Sequence, residues 1–228
     1  MYHHLSQYYD QLFPWNRQIE ELIKPYIVPS GQAIDLGCGT GRLTNLLDQL
    51  GMHVVGIDLD QDMIKVAQAN YPHLSFFHDD MISSLKTSKT FSLMTCFGNT
   101  LPHLTLKDLR LFLESVHQSL TEDGVLIVQL LNYTKILNEK PKHLKVIEND
   151  DIKFLREYSY LENQILFKTV LKFKDNETVG TTTLYPYQKE QLITEIELAN
   201  LKVQAYGDFN FKPFDEQDYY LYLIISKK

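Results

Sequence analysis

Apolar and polar positions alternate along this chain with two different periods, and the switch between them divides it. Near the start, Ser6 to Tyr26 reads as a helical piece that ends at Pro29-Ser30-Gly31. Ile34-Asp35-Leu36 then forms a short apolar strand, and Leu43, Leu46, Leu47 and Leu50 recur at helical spacing. Val54 to Asp58, Leu74 to Phe77, Phe91 to Cys96 and Val125 to Val128 follow as further strands. Between them lie helices with one apolar face, such as the one carrying Leu106, Leu109, Leu113, Val116 and Leu120. Glu122-Asp123-Gly124 reads as a turn before the fifth strand. Strand and helix alternating to about Leu131 predict a parallel sheet. From Asp151 to Tyr185 the period drops to two. Ile165, Phe167, Thr169, Leu171 and Phe173 face one side, against Lys168, Lys172 and Lys174, so three antiparallel strands are expected there. Their hairpin turns are Leu161-Glu162-Asn163-Gln164 and Lys174-Asp175-Asn176-Glu177. Gln188 to Asn200 returns to helix, and Leu201 to Phe209 and Tyr219 to Ser226 read as the last two strands.

The predicted organisation is a single domain over 1–228. It has an N-terminal helical segment (1–30), an α/β core (31–131 and 187–228) and an inserted antiparallel subdomain (151–186). In an open α/β sheet an insertion after the fifth strand lies over the carboxyl ends of the strands, where ligands bind. It is therefore expected to roof a substrate pocket.

The chemistry concentrates at the first strand-to-helix turn, Asp35-Leu36-Gly37-Cys38-Gly39-Thr40-Gly41. Glycines at alternate positions let the backbone pass close beside a ligand where a Cβ would not fit. A carboxylate, Asp58, follows at the tip of the next strand, spaced to accept both hydroxyls of a ribose; Asp60 reads as the cap of the next helix. Glycine turn plus strand-tip carboxylate is the layout of a nucleoside site. The dinucleotide pattern G-x-G-x-x-G is not met, because Arg42 stands at its third glycine position. A ligand-free tight turn and a nicotinamide cofactor are the weaker alternatives.

The Asp-x-Gly-x-Gly-x-Gly pattern resembles the first motif of the class I S-adenosylmethionine-dependent methyltransferases. That resemblance implies a Rossmann-like α/β fold: a seven-stranded mostly parallel sheet, its last strand antiparallel, plus the small inserted antiparallel sheet. It implies S-adenosylmethionine as cofactor and S-adenosylhomocysteine as product. Asp35 would approach the cofactor's ammonium group, and Asp80 and Met81, in His78-Asp79-Asp80-Met81, would hold the adenine. Asp79 stands where a glycine is usual, which leaves that register open by one residue. Gly37, Cys38, Gly39, Gly41, Leu59, Met63, Cys96 and Gly98 complete the candidate cofactor wall, with Tyr9 closing over the methionine end.

Cys96-Phe97-Gly98-Asn99 after the fourth strand, Asn132-Tyr133 after the fifth and Tyr9-Asp10 near the start resemble glycine and sarcosine N-methyltransferases and their bacterial relatives. In that resemblance Asn132 and Tyr133 line the acceptor pocket, Asn99 and Asn132 orient an amine, and Arg156 holds a substrate carboxylate. A hydroxyl acceptor would need a general base, for which His103 is the offer. Each has an ordinary alternative. Asn99 could simply turn the chain, His103 cap or pack, Tyr133 sit in the core, and Arg156 be an exposed strand charge.

Composition narrows the partners. The chain has 228 residues, a net charge of −7, 44% hydrophobic residues and two cysteines. An acidic balance without basic runs disfavours nucleic acid, whose binding rests on phosphate contacts. No apolar run is long enough to span a bilayer, and the first residues lack a signal pattern. Cys38 and Cys96 read as reduced thiols of a cytoplasmic protein. No second cluster of ligands joins His78, Asp79 and Asp80, so no metal is expected. The expected function is methyl transfer to a small molecule, most of all an amine nitrogen, by a protein whose oligomeric state is open, a homodimer included. The alternatives are a hydroxyl or RNA-base acceptor, or a non-catalytic cofactor-binding regulator.

Overall fold

A computed structural model describes residues 5–174 and 176–228. The N-terminal segment is a pair of short helices, α1 (Tyr9–Leu12) and α2 (Ile19–Ile23), and a 3-10 turn at Lys24–Tyr26. The expected single helical piece breaks at Phe13, whose φ of −124° and ψ of 80° leave the helical region. The cause is local: Pro14 follows, and the residue before a proline is pushed out of the helical region.

The core then runs β1 (Gln32–Leu36), α3 (Arg42–Gln49), β2 (His53–Asp58), α4 (Gln61–Asn70), β3 (Ser75–His78), β4 (Phe91–Cys96), α5 (Leu106–Ser119), β5 (Leu120–Leu131) and α6 (Tyr133–Glu139). Next come β6 (Ile147–Glu148), β7 (Ile152–Tyr160), β8 (Ile165–Phe173) and β9 (Asn176–Leu184), and the chain closes with α7 (Lys189–Leu198), β10 (Leu201–Tyr206) and β11 (Tyr220–Lys227). One sheet has the order β10-β11-β5-β4-β1-β2-β3, and the second has β6-β7-β8-β9. In the first, β11 runs antiparallel to both neighbours. The other strands are parallel, as the buried apolar runs require.

Two details differ from the expected pattern. The Glu122-Asp123-Gly124 turn lies inside β5: Phe91 pairs with Leu120 but Leu93 pairs with Val125, so residues 121–124 loop out as a bulge. The antiparallel sheet also gains a fourth, two-residue strand, β6, paired to β7. Asp175, within the expected second hairpin turn, lies outside the described residues.

The strand order reverses between β1 and β4, which makes a crevice beyond their carboxyl ends. Two apolar layers hold the sheet. One joins α5 residues Leu109, Phe112 and Val116 to Met94, Leu126 and Leu223. The other joins Leu43 and Leu47 of α3 and Leu22 and Ile23 of α2 to Val54, Ile127 and Tyr222. Leu5 and Leu12 pack on Ile152, Phe154 and Leu171 of the second sheet, so the N-terminal segment is wedged between the two sheets.

Candidate active site

The turn after β1 is set by its glycines. At Gly37, φ is +77° and an added Cβ would lie 2.6 Å from Thr100 Cγ2, so only glycine fits. The Gly37 and Cys38 N–H groups donate to Ile57 O at 2.8 and 2.9 Å, which anchors the turn on β2. Gly41, at φ +84°, occupies the N-cap of α3, and a Cβ there would meet Phe76. Gly41 thus shapes the turn from behind and is not among the residues lining the cavity.

That cavity has a volume of about 540 Å³ and opens at the strand-order reversal. Of the expected cofactor residues, Tyr9, Asp35, Gly37, Cys38, Gly39, Asp58, Leu59, Met63, Asp80, Met81 and Gly98 line it. Cys96 does not: it is fully buried in the apolar layer beneath, where burial pushes its thiol up to about 12. Cys38 is buried too, with its thiol pushed up by the same cause.

Asp58 accepts the Gly39 N–H on Oδ2 and the Asp60 N–H on Oδ1, both at 2.8 Å. Burial raises its carboxyl above the ordinary value, and the two backbone donors oppose that rise. Each oxygen keeps a second lone pair for a ligand. Asp60 caps α4 as expected, accepting from Asp62 and Met63 N–H. Asp80 accepts the Ile82 and Ser83 N–H groups on Oδ1, both at 2.9 Å. Burial would raise its carboxyl, but the bonds from Ser83 and Ile82 outweigh it and hold the group ionised.

Asp35 is placed differently from the expectation. Its side chain is 1% exposed, and Thr44 and Thr95 hydroxyls donate to its two oxygens at 2.8 Å each. Burial pushes its carboxyl up to about 6 despite these bonds. It supports the floor of the glycine turn more than it reaches into the space above.

The N-terminal segment forms the lid. Asp10 accepts the Thr40 hydroxyl at 2.7 Å and pairs with Arg42 Nε at 3.1 Å. Arg42 Nη2 donates to Phe13 O at 2.7 Å, and the guanidinium lies over the Trp15 ring. Tyr9 is thereby held across Gly39 and Gly98, and burial keeps its phenol protonated. Asp10 and Thr40 stood inside motifs legible in the sequence but without a role of their own, and nothing there pointed to Arg42 or Trp15 as lid residues.

The expected acceptor residues fare worse. Asn99, at φ +62°, donates from Nδ2 to Tyr133 Oη at 2.9 Å and accepts the Leu131 N–H on Oδ1 at 3.0 Å. Tyr133 is 1% exposed. Asn132 caps α6 through Lys135 N–H and donates to the carbonyls of Glu216 and Asp218 at 2.8 and 2.9 Å. Arg156 donates to Lys145 O and lies against the Phe13 and Phe154 rings. None of these four lines the cavity. Asn99, Asn132 and Tyr133 hold its framework through bonds to protein partners, whereas the buried Nε of Arg156 has no partner among the described residues. His103 does line it, at the rim, where burial lowers its pKa and keeps the ring neutral.

Residues 33–124 match the family described as Methyltransferase domain. That match takes in the glycine turn, Asp58 and Asp80. An uncharacterized methyltransferase of Alkaliphilus oremlandii (strain OhILAs) is 30% identical over 99 residues, 43% of this chain and 44% of its own length. The dTDP-3-amino-3,6-dideoxy-alpha-D-glucopyranose N,N-dimethyltransferase of Streptomyces fradiae is 30% identical over 110 residues, 47% of this chain and 42% of its own. The chain spans about half the length of the curated relatives it matches. In fold it is similar to the S-adenosylmethionine-dependent methyltransferase from Clostridium acetobutylicum ATCC 824, with a TM-score of 0.86, 18% identity and coverage of 99% of this chain and 98% of that one. Neither of these two relatives carries glycine or sarcosine N-methylation in its name.

The site's own geometry fits S-adenosylmethionine. At Gly39 a Cβ would stand in open space at the cavity wall, Asp58 offers two acceptor lone pairs for a diol, and Asp80 with Met81 walls the far end. Among the described residues no cluster of histidine, cysteine or carboxylate could hold a metal ion, and no helix is long and apolar enough to cross a membrane.

Proposed function

We propose that the protein transfers a methyl group from S-adenosylmethionine to a small-molecule amine. The observation that carries the reading is the cavity at the strand-order reversal, with Asp58 at one end and the lid residue Tyr9 over its middle. The cofactor supplies a methyl on a sulfonium, ready for in-line displacement by a lone pair. The protein's share is positioning, and a fixed alignment can supply several kcal/mol of the barrier. Asp58 holds the ribose, the glycine turn carries the amino-acid tail, and Asp80 and Met81 take the adenine. Tyr9 stays a neutral donor that excludes water from the reacting centre.

An amine needs no strong base once it arrives neutral. The product ammonium sheds its proton to solvent, and His103, neutral at the rim, is not required for that step. The Streptomyces fradiae relative is named for an amino-sugar N,N-dimethylation, which supports a nitrogen acceptor. The same His103 is the feature that favours a hydroxyl acceptor instead. Arg156 stands outside the cavity lining, with Nη2 on Lys145 O and its guanidinium against two rings, so no acceptor role is assigned to it in this reading.

Labelled S-adenosylmethionine incubated with the protein and a cell extract, then split into small-molecule, RNA and protein fractions, tests this. Label in an acid-stable, amine-containing small molecule is the expected result. Label in RNA or protein would overturn the acceptor class. Binding of the cofactor with no transfer to any fraction would favour the regulatory module.

A further inference from the structure

Gln129 is an internal residue of β5 whose side chain the reading above does not use. It is 8% exposed, yet it lines the cavity. Its Oε1 accepts the Gly98 N–H at 2.8 Å, and its backbone carbonyl accepts the Asn99 N–H. A backbone N–H can only donate, so this bond fixes the amide: the oxygen faces Gly98 and Nε2 faces away. Among the described residues Nε2 has no hydrogen-bond partner, nor is it sealed from the cavity. This donor, on a residue nine-tenths buried yet open to the cavity, is placed to meet an acceptor on a bound ligand.

We infer that Gln129 Nε2 donates to the carboxylate of the cofactor's amino-acid tail, a role that rests on the cofactor reading above. The cavity is polarised along its length. Asp58, Asp60, Asp79 and Asp80 put acceptors at one end, matched to a diol and an exocyclic amine. β2 and β5 are separated by β1 and β4, so Gln129 lies three strand spacings, roughly 14 Å, from Asp58. The nucleoside bound at Asp58 does not reach that far; the tail beyond the sulfur does. With Oε1 turned to Gly98, Gln129 presents Nε2 to the cavity, a donor that suits a carboxylate and not an ammonium. The cation that also lines the cavity, Arg42, is already engaged by Asp10 and Phe13 O. Trp15, Ile19 and Phe97 surround the same end with apolar walls, where a charge-assisted hydrogen bond is stronger than in water. Gln129 therefore ties the cofactor tail to the Gly98–Asn99 turn.

Calorimetric titration with S-adenosylhomocysteine and with 5′-methylthioadenosine, which lacks the amino-acid tail, separates the possibilities. Gln129→Glu keeps the acceptor for Gly98 N–H and removes the donor; Gln129→Met, a neutral replacement, serves if the glutamate variant folds poorly. The expected result is S-adenosylhomocysteine weakened by roughly tenfold or more, with 5′-methylthioadenosine changed by less than about twofold. Equal weakening of both ligands would mean that Gln129 only holds the turn, and unchanged S-adenosylhomocysteine affinity would mean that its donor is not used. Either result overturns the inference. A wild-type protein that binds neither ligand would overturn the cofactor reading itself.

Discussion

The wall built from β1, β2 and the segment after β3 treats its polar side chains differently from the wall built at the ends of β4 and β5. On the first, Asp58 and Asp80 are braced by backbone N–H groups and still face the cavity. On the second, Asn99, Asn132 and Tyr133 turn their polar groups into the protein. Gln129 shares both habits, with its oxygen on Gly98 and its nitrogen toward the cavity. The difference teaches that one side of the site is a ready receptor. The other is a clamp that holds a turn in left-handed backbone at Gly98 and Asn99.

Gly37→Val strikes the receptor side hardest. It combines a disfavoured φ with a clash against Thr100 and is expected to cost at least about 3 kcal/mol in urea unfolding. Little or no loss would show that the turn is looser than drawn.

Asp35 tests whether the floor of that turn is held against burial. Its folded pKa, about 6, lies above the ordinary value of 3.8, so the folded state binds the extra proton between those values. Stability therefore falls as pH rises from 4 to 6, by about 3 kcal/mol from this group alone. Asp35→Asn should remove that slope. The check is the difference in unfolding free energy between wild type and variant across pH 4 to 7.

The clamp side responds in stability, not in affinity. Asn132→Ala removes two bonds to the Glu216 and Asp218 carbonyls and the α6 cap, for a loss of about 2 kcal/mol. S-adenosylhomocysteine affinity should stay within about twofold while the variant is folded. A selective rise in acceptor KM at unchanged stability would return Asn132 to the acceptor site.

The smallest effect belongs to His103→Ala at the rim. With an amine acceptor the turnover should fall less than about tenfold, whereas a hydroxyl acceptor deprived of its base should lose about 10²–10⁴.

The receptor side was legible in the sequence because its determinants are local. A turn that only glycines fit sits next to the strand it ends, and Asp58 follows at a strand tip. The clamp side depends on pairs far apart in the chain: Asn99 to Tyr133 spans 34 positions and Asn132 to Glu216 spans 84. A polar residue after a strand looks the same whether it faces a ligand or another loop, so Asn99, Asn132 and Arg156 were assigned to the acceptor. Gln129 was hidden for the converse reason. It stands inside a strand otherwise read as continuous core, and its contact with Gly98 spans 31 positions. The parallel α/β arrangement followed from period and the antiparallel last strand from the family resemblance, while the Phe13 break and the residue 121–124 bulge needed proline sterics and strand register.

The most direct test of the account is calorimetric titration of S-adenosylhomocysteine into wild type and Asp58→Ala, with circular dichroism showing that both are folded. The account predicts saturable one-site binding to wild type, and an Asp58→Ala variant weaker by roughly thirtyfold from the loss of charge-assisted bonds to the ribose. Equal affinity in the two proteins, or no binding to wild type, would contradict it.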